Sequence, residues 1–91
     1  MKRSRKVRVK NSLGLHTRPA SIIVKILQES RSSVLFTCRK ETVNAKSIMS
    51  LLTLAASKNS LITMEAEGED ADIILERLAE AFEQQFWERT P

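Results

Sequence analysis

Cysteine and histidine each occur once in these 91 residues, as Cys38 and His16. A lone cysteine excludes an internal disulfide, and one histidine with one cysteine leaves no zinc-type ligand set, so neither a covalent staple nor a structural metal is expected. No apolar run approaches the roughly 18–20 residues that a membrane span needs. The N-terminus also lacks the apolar segment of a secretory signal, which makes the cytoplasm the expected compartment. Internal repeats, low-complexity tracts and cofactor motifs are lacking too. What remains is length enough for one small domain with a single modest core, expected over residues 1–91.

The formal net charge of +4 is unevenly placed. Six of the fifteen basic residues fall in the first ten positions: Lys2, Arg3, Arg5, Lys6, Arg8 and Lys10. Without those six, nine basic residues face eleven acidic ones, a net charge of −2, so the body of the domain carries no general nucleic-acid footprint. Residues 1–5 read as a basic arm, free to move, that leads into a strand over Lys6–Lys10, where Val7 and Val9 alternate with polar neighbours.

Further along, Ala20, Ile23, Val24 and Leu27 recur at helical spacing and predict an amphipathic helix ending near Gln28. Val34–Cys38 is rich in β-branched and aromatic residues and predicts a strand, Arg39-Lys40 a hairpin tip, and Glu41–Asn44 a weak return strand. A short helix follows through Ile48, Met49, Leu51, Leu52, Leu54 and Ala55, then a turn in which Asn59 suits a left-handed conformation. Leu61–Glu67 alternates apolar and polar residues as a half-buried strand does. A last helix, capped by Glu69 or Asp70, presents Ala71, Ile74, Leu75, Leu78, Phe82 and Phe86. The order βαββαβα with half-polar strands predicts an α+β open-faced sandwich: a four-stranded antiparallel sheet with three helices on one face.

The chemistry concentrates at Gly14-Leu15-His16-Thr17-Arg18-Pro19-Ala20. Proline is harmless in a first helical turn, where the N–H it lacks would have no acceptor, so Pro19 sets His16 at or just outside the helix start. Unpaired amides and the helix dipole favour an anion there by about 0.3–1 kcal/mol when exposed. Arg18 adds a guanidinium whose fork matches phosphate oxygens, and Gly14 supplies the backbone freedom for a tight entry. A neutral imidazole is a nucleophile able to carry a group covalently. From the residues alone, the competing account is a capping or solvated histidine beside an exposed arginine.

Two segments carry a resemblance, Asn11-Ser12-Leu13-Gly14-Leu15-His16-Thr17-Arg18-Pro19-Ala20 and Val43-Asn44-Ala45-Lys46-Ser47-Ile48-Met49. In these, and in element order and length, the chain resembles the HPr family of histidine-containing phosphocarriers of the phosphoenolpyruvate-dependent phosphotransferase system. The resemblance implies that His16 accepts phosphate on Nδ1 from phosphorylated Enzyme I and passes it to IIA domains, with Arg18 neutralising the group and the Thr17 and Arg18 amides holding its oxygens. It implies a carrier rather than an enzyme, needing no cofactor, and a monomer. Ser47 stands at the regulatory serine, the target of HPr kinase/phosphorylase in some lineages, and also reads as a plain N-cap. Ile48, Met49 and Leu52 are the implied partner contacts, and Lys25 and Lys46 are offered as steering charges if they flank the site.

The chain departs from the family pattern at Thr17, where alanine is usual, and at Ser50, Ala55 and Asn59, where many members have glycine. Two other readings compete with a sugar-transport carrier. One is a regulatory paralogue of the nitrogen-related type; the other is a binding module that uses the basic arm on nucleic acid.

Overall fold

The computed structural model describes residues 1–88. Chain order is β1 (Lys2–Arg8), α1 (Thr17–Leu27), β2 (Ser33–Cys38), β3 (Glu41–Asn44), α2 (Ile48–Thr53), β4 (Leu61–Glu67) and α3 (Ala71–Glu83), followed by a single 3-10 turn at Gln85–Trp87. The sheet runs β1-β4-β2-β3 and every pairing is antiparallel. This is the expected open-faced sandwich.

β4 lies at its centre because its alternation is strict: Ile62, Met64 and Ala66 are fully buried, while Leu61, Thr63, Glu65 and Glu67 retain contact with water. Val34, Phe36 and Cys38 continue the buried face on β2. The helices close this face with Ala20, Ile23 and Leu27 of α1, Leu51 of α2, and Ile74, Leu75, Leu78 and Phe82 of α3. Each large side chain so buried contributes about 1.5–3 kcal/mol relative to exposure.

The first strand corrects one expectation. Residues 2–5 are not a free arm; they are paired strand, in register from Lys2 opposite Glu67 to Arg8 opposite Leu61. The apolar alternation fails there because Arg3 and Arg5 occupy the positions in line with Val7, opposite Ala66 and Met64. A long stem can lie along apolar surface while its head reaches water or a partner, and the Arg3 Nε donates to Asp72 of α3 at 3.0 Å. Lys2 pairs with Glu65 at 3.6 Å and Lys10 with Glu83 at 2.6 Å. Three of the six basic residues, Lys2, Arg3 and Lys10, are thus answered by acids of β4 and α3, and the charges on β1 lie along an edge strand, where they discourage further strand pairing.

Two more corrections concern α3. Asp70 occupies the N-cap position, but its carboxylate makes no cap hydrogen bond and turns to the Ser30–Ser32 loop instead. Phe86 is fully buried as expected but not as part of the helix, which stops at Glu83. It reaches the core through the 3-10 turn, with its ring 4.8 Å from that of Phe82, centroid to centroid.

Candidate functional site

The loop from Val9 to His16 is pinned at both ends to the segment after α2. Val9 and the Asn59–Ser60 turn exchange backbone hydrogen bonds, and the Leu15 N–H donates to the Ala56 carbonyl at 2.9 Å. Gly14 lies between them at φ +69°, and a side chain there would collide with that same carbonyl oxygen, so conformation and close approach both require glycine. Leu15 is buried beneath the loop. His16 follows as the N-cap of α1, in extended conformation.

His16 makes no side-chain cap, and the first turn of α1 holds no acidic residue. Pro19 is the third helical residue and has no N–H, and the Ala20 N–H already donates to the His16 carbonyl at 3.0 Å. Among the described residues, the Thr17 and Arg18 amides have no backbone acceptor. Two free donors therefore point out of a helix start beside an imidazole, which is an anion-binding geometry. Arg18 and Thr17 are exposed, and Arg18 makes no ion pair with the described residues.

The His16 side chain is about 32 % exposed, but its Nε2 is sealed. That nitrogen lies 2.9 Å from Oε2 of Glu88, close enough for an ion pair but not aligned as a hydrogen bond. Neither Glu88 nor Asn11, whose Nδ2 donates to the Gln85 carbonyl at 2.7 Å and to Glu88, is singled out by sequence reasoning as part of the site.

Ser47 caps α2: its hydroxyl accepts from the Ser50 N–H at 3.2 Å. Helices α1 and α2 run antiparallel, because the end of α2 meets the start of α1 at Ala56–Leu15, while Lys46 Nζ donates to the Ser30 carbonyl just beyond the end of α1, at 3.2 Å. Ser47 and His16 accordingly lie at opposite ends of this pair. Lys46 and Lys25, the latter in the last turn of α1, sit at the end remote from the imidazole and do not flank it; nine residues of helix separate Lys25 from His16 by roughly 13 Å. Met49 is 73 % and Ile48 37 % exposed, whereas Leu52 is half-buried against the core. Leu13, 75 % exposed in the site loop, is a further outward apolar side chain that helical periodicity has no means of flagging.

One reactive side chain at an open helix start, on the surface of an open-faced sandwich, defines a small carrier domain. The family described as the PTS HPr component phosphorylation site matches residues 3–84. The phosphocarrier protein HPr of Chlamydia muridarum is 41% identical over 80 residues, covering 88% of this chain and 77% of its own. A crystal structure of HPr from Thermoanaerobacter tengcongensis superposes with a TM-score of 0.91 at 31% identity, covering 97% of this chain and 99% of its own. Crh of Bacillus subtilis, described as a domain-swapped dimer, superposes with a TM-score of 0.74 at 38% identity, covering 89% of this chain and 93% of its own. The chain belongs to the HPr family, and its role is that of a phosphocarrier of the phosphotransferase system rather than an enzyme.

Proposed function

We propose that His16 accepts a phosphoryl group on Nδ1 from phosphorylated Enzyme I and passes it to IIA domains of sugar permeases. The observation that carries this reading is the open helix start: two unpaired amides and a free guanidinium surround an imidazole whose other nitrogen is sealed. As Nδ1 attacks phosphorus from one side, the bond to the donor's histidine nitrogen breaks on the other. The three equatorial oxygens meanwhile meet the Thr17 and Arg18 amides and the Arg18 side chain. Catalysis here is positioning and charge stabilisation. The reaction reverses with the next acceptor, so the same geometry serves both transfers.

Leu13 beside this start, and Ile48 and Met49 at the far end of α2, supply exposed apolar contact for partners, and Leu52 of α2 is half-buried beneath them. Ser47 is the regulatory position. A phosphate there, introduced by an HPr kinase/phosphorylase, would sit at the remote end of α2, about the 9 Å length of a six-residue helix from the site loop. It therefore acts on docking through Ile48 and Met49, not on the imidazole. The reading is of a monomer acting in the cytoplasm. Use of a basic arm on nucleic acid loses its footing, because the arm is a paired strand in which Lys2 and Arg3 are engaged by acids.

Mass spectrometry after incubation with phosphoenolpyruvate and Enzyme I tests the reading. One acid-labile phosphoryl group, absent from His16→Ala, is expected. No incorporation with an Enzyme I that autophosphorylates would overturn it.

A further inference from the structure

The residues beyond 84, where the family match ends, build something of their own. Gln85, Phe86 and Trp87 stand in succession at φ 52°, 54° and 56°. For side chains other than glycine, each such residue costs roughly 1–2 kcal/mol, so this turn persists only if something offsets it. Phe86 does so by burying its ring against Phe82, and Asn11, itself fully buried, by donating to the Gln85 carbonyl and to Glu88. The outcome is a chain end folded back so that the Glu88 carboxylate, only 11 % exposed, lies behind the imidazole at Nε2. A carboxylate withdrawn from water needs partners; Asn11 Nδ2 supplies one at Oε1, and His16 Nε2 lies 2.9 Å from Oε2.

We infer that Glu88 is a positioning residue for phosphoryl transfer, holding the proton of His16 on Nε2 so that Nδ1 carries the lone pair. The inference rests on the phosphocarrier reading. When Nδ1 bonds to phosphorus and the donor's nitrogen–phosphorus bond breaks, the ring gains positive charge and retains its Nε2 proton, and the Glu88 carboxylate balances that charge. On the return step the ring leaves phosphorus as neutral imidazole with the proton still on Nε2, a far better leaving group than an imidazolide. The partner of one ring nitrogen decides which form the other takes, and a buried carboxylate behind a reactive histidine does this in serine hydrolases. The bent approach in the unphosphorylated protein is of the kind that tightens on reaction.

Glu88→Gln keeps the shape and removes the charge. Two measurements are made on it: the nitrogen-15 chemical shifts of His16 in the free protein, and single-turnover phosphorylation by phosphorylated Enzyme I over a range of carrier concentrations. The expected result is a wild-type ring protonated on Nε2, a shift toward the Nδ1–H tautomer in the variant, and a transfer rate at saturation lowered about tenfold with half-saturation unchanged. Glu88→Asp should recover part of both. An unchanged tautomer in Glu88→Gln overturns the inference, whatever the rate. The nitrogen-15 measurement needs no Enzyme I, and wild-type protein that takes up no phosphoryl group would count against the phosphocarrier reading alone.

Discussion

Helices α1 and α2 both begin at an extended residue, His16 and Ser47, yet their starts are built in opposite ways. At Ser47 the hydroxyl turns inward and accepts the Ser50 amide, which closes the helix end with a group of its own. At His16 the side chain caps nothing, proline removes one donor, and the Thr17 and Arg18 amides have no acceptor among the described residues. A closed start is a stability device and an open one is a binding device. The histidine sits at the one that is open.

That contrast is tested most severely at Arg18, the exposed charge of the open start. Arg18→Ala should lower the rate of phosphoryl uptake about a hundredfold, equivalent to about 2.7 kcal/mol of transition-state stabilisation, as removal of one oxyanion donor does. Thermal unfolding should be unchanged, because the side chain is exposed and makes no ion pair with the described residues. At the closed start the two effects exchange places. Ser47→Ala should cost about 1 kcal/mol in chemical denaturation through loss of the cap and leave phosphoryl uptake at the wild-type rate. If Ser47→Ala slowed transfer as Arg18→Ala does, the division between the two helix starts would fail.

Most of this architecture is legible in the sequence, for reasons that differ by element. β4 declares itself because its period-2 pattern has a single meaning when one face is buried, whereas β2 shows in its β-branched and aromatic content and β3 only weakly. The site is legible because proline, glycine, histidine and arginine have positional meanings around a helix start. β1 is half hidden, since Arg3 and Arg5 stand where apolar residues would complete the pattern and only the placement of Asp72 on α3 shows how one of them is accommodated. The segment after α3 is legible only in the burial of Phe86. Glu88 meets Asn11 across 77 positions by way of three left-handed residues, none of them glycine, a conformation that local propensity argues against. Lys25 and Lys46 show the converse, since nearness in sequence to the two motifs says nothing of which end of the helix pair they occupy.

Beside the open start, the turn that follows α2 stores strain that can be released. Ala55 has φ +52°, a conformation that disfavours any side chain, at one of the positions where related proteins often carry glycine. Ala55→Gly removes that penalty of about 1–2 kcal/mol and returns part of it by loosening the unfolded chain. The expected net effect is a stabilisation of about 0.5 kcal/mol, read from the denaturation midpoint, with phosphoryl uptake unaltered. A destabilised variant would mean that the Ala55 methyl group makes contacts that outweigh its backbone cost.

The smallest expected effect concerns a third helix start, at α3, where Asp70 is neither open nor closed in the manner of the other two. The Ser32 hydroxyl and the Arg31 N–H, with a further contribution from Ser30, hold its carboxyl below the ordinary aspartate range. The same contacts tie the loop after α1 to the beginning of α3. A group whose folded value is depressed stabilises the fold fully above its unfolded value, about 3.9, and loses that contribution as pH falls through the folded value. Wild-type protein should therefore be more stable than Asp70→Asn at neutral pH, and the gap should close as acid denaturation is approached below about pH 4. The incomplete burial of Asp70 keeps the gap modest. A gap that stays constant down to the acid transition would assign the role of Asp70 to its shape, since asparagine accepts hydrogen bonds with only one of its two terminal atoms, and not to its charge.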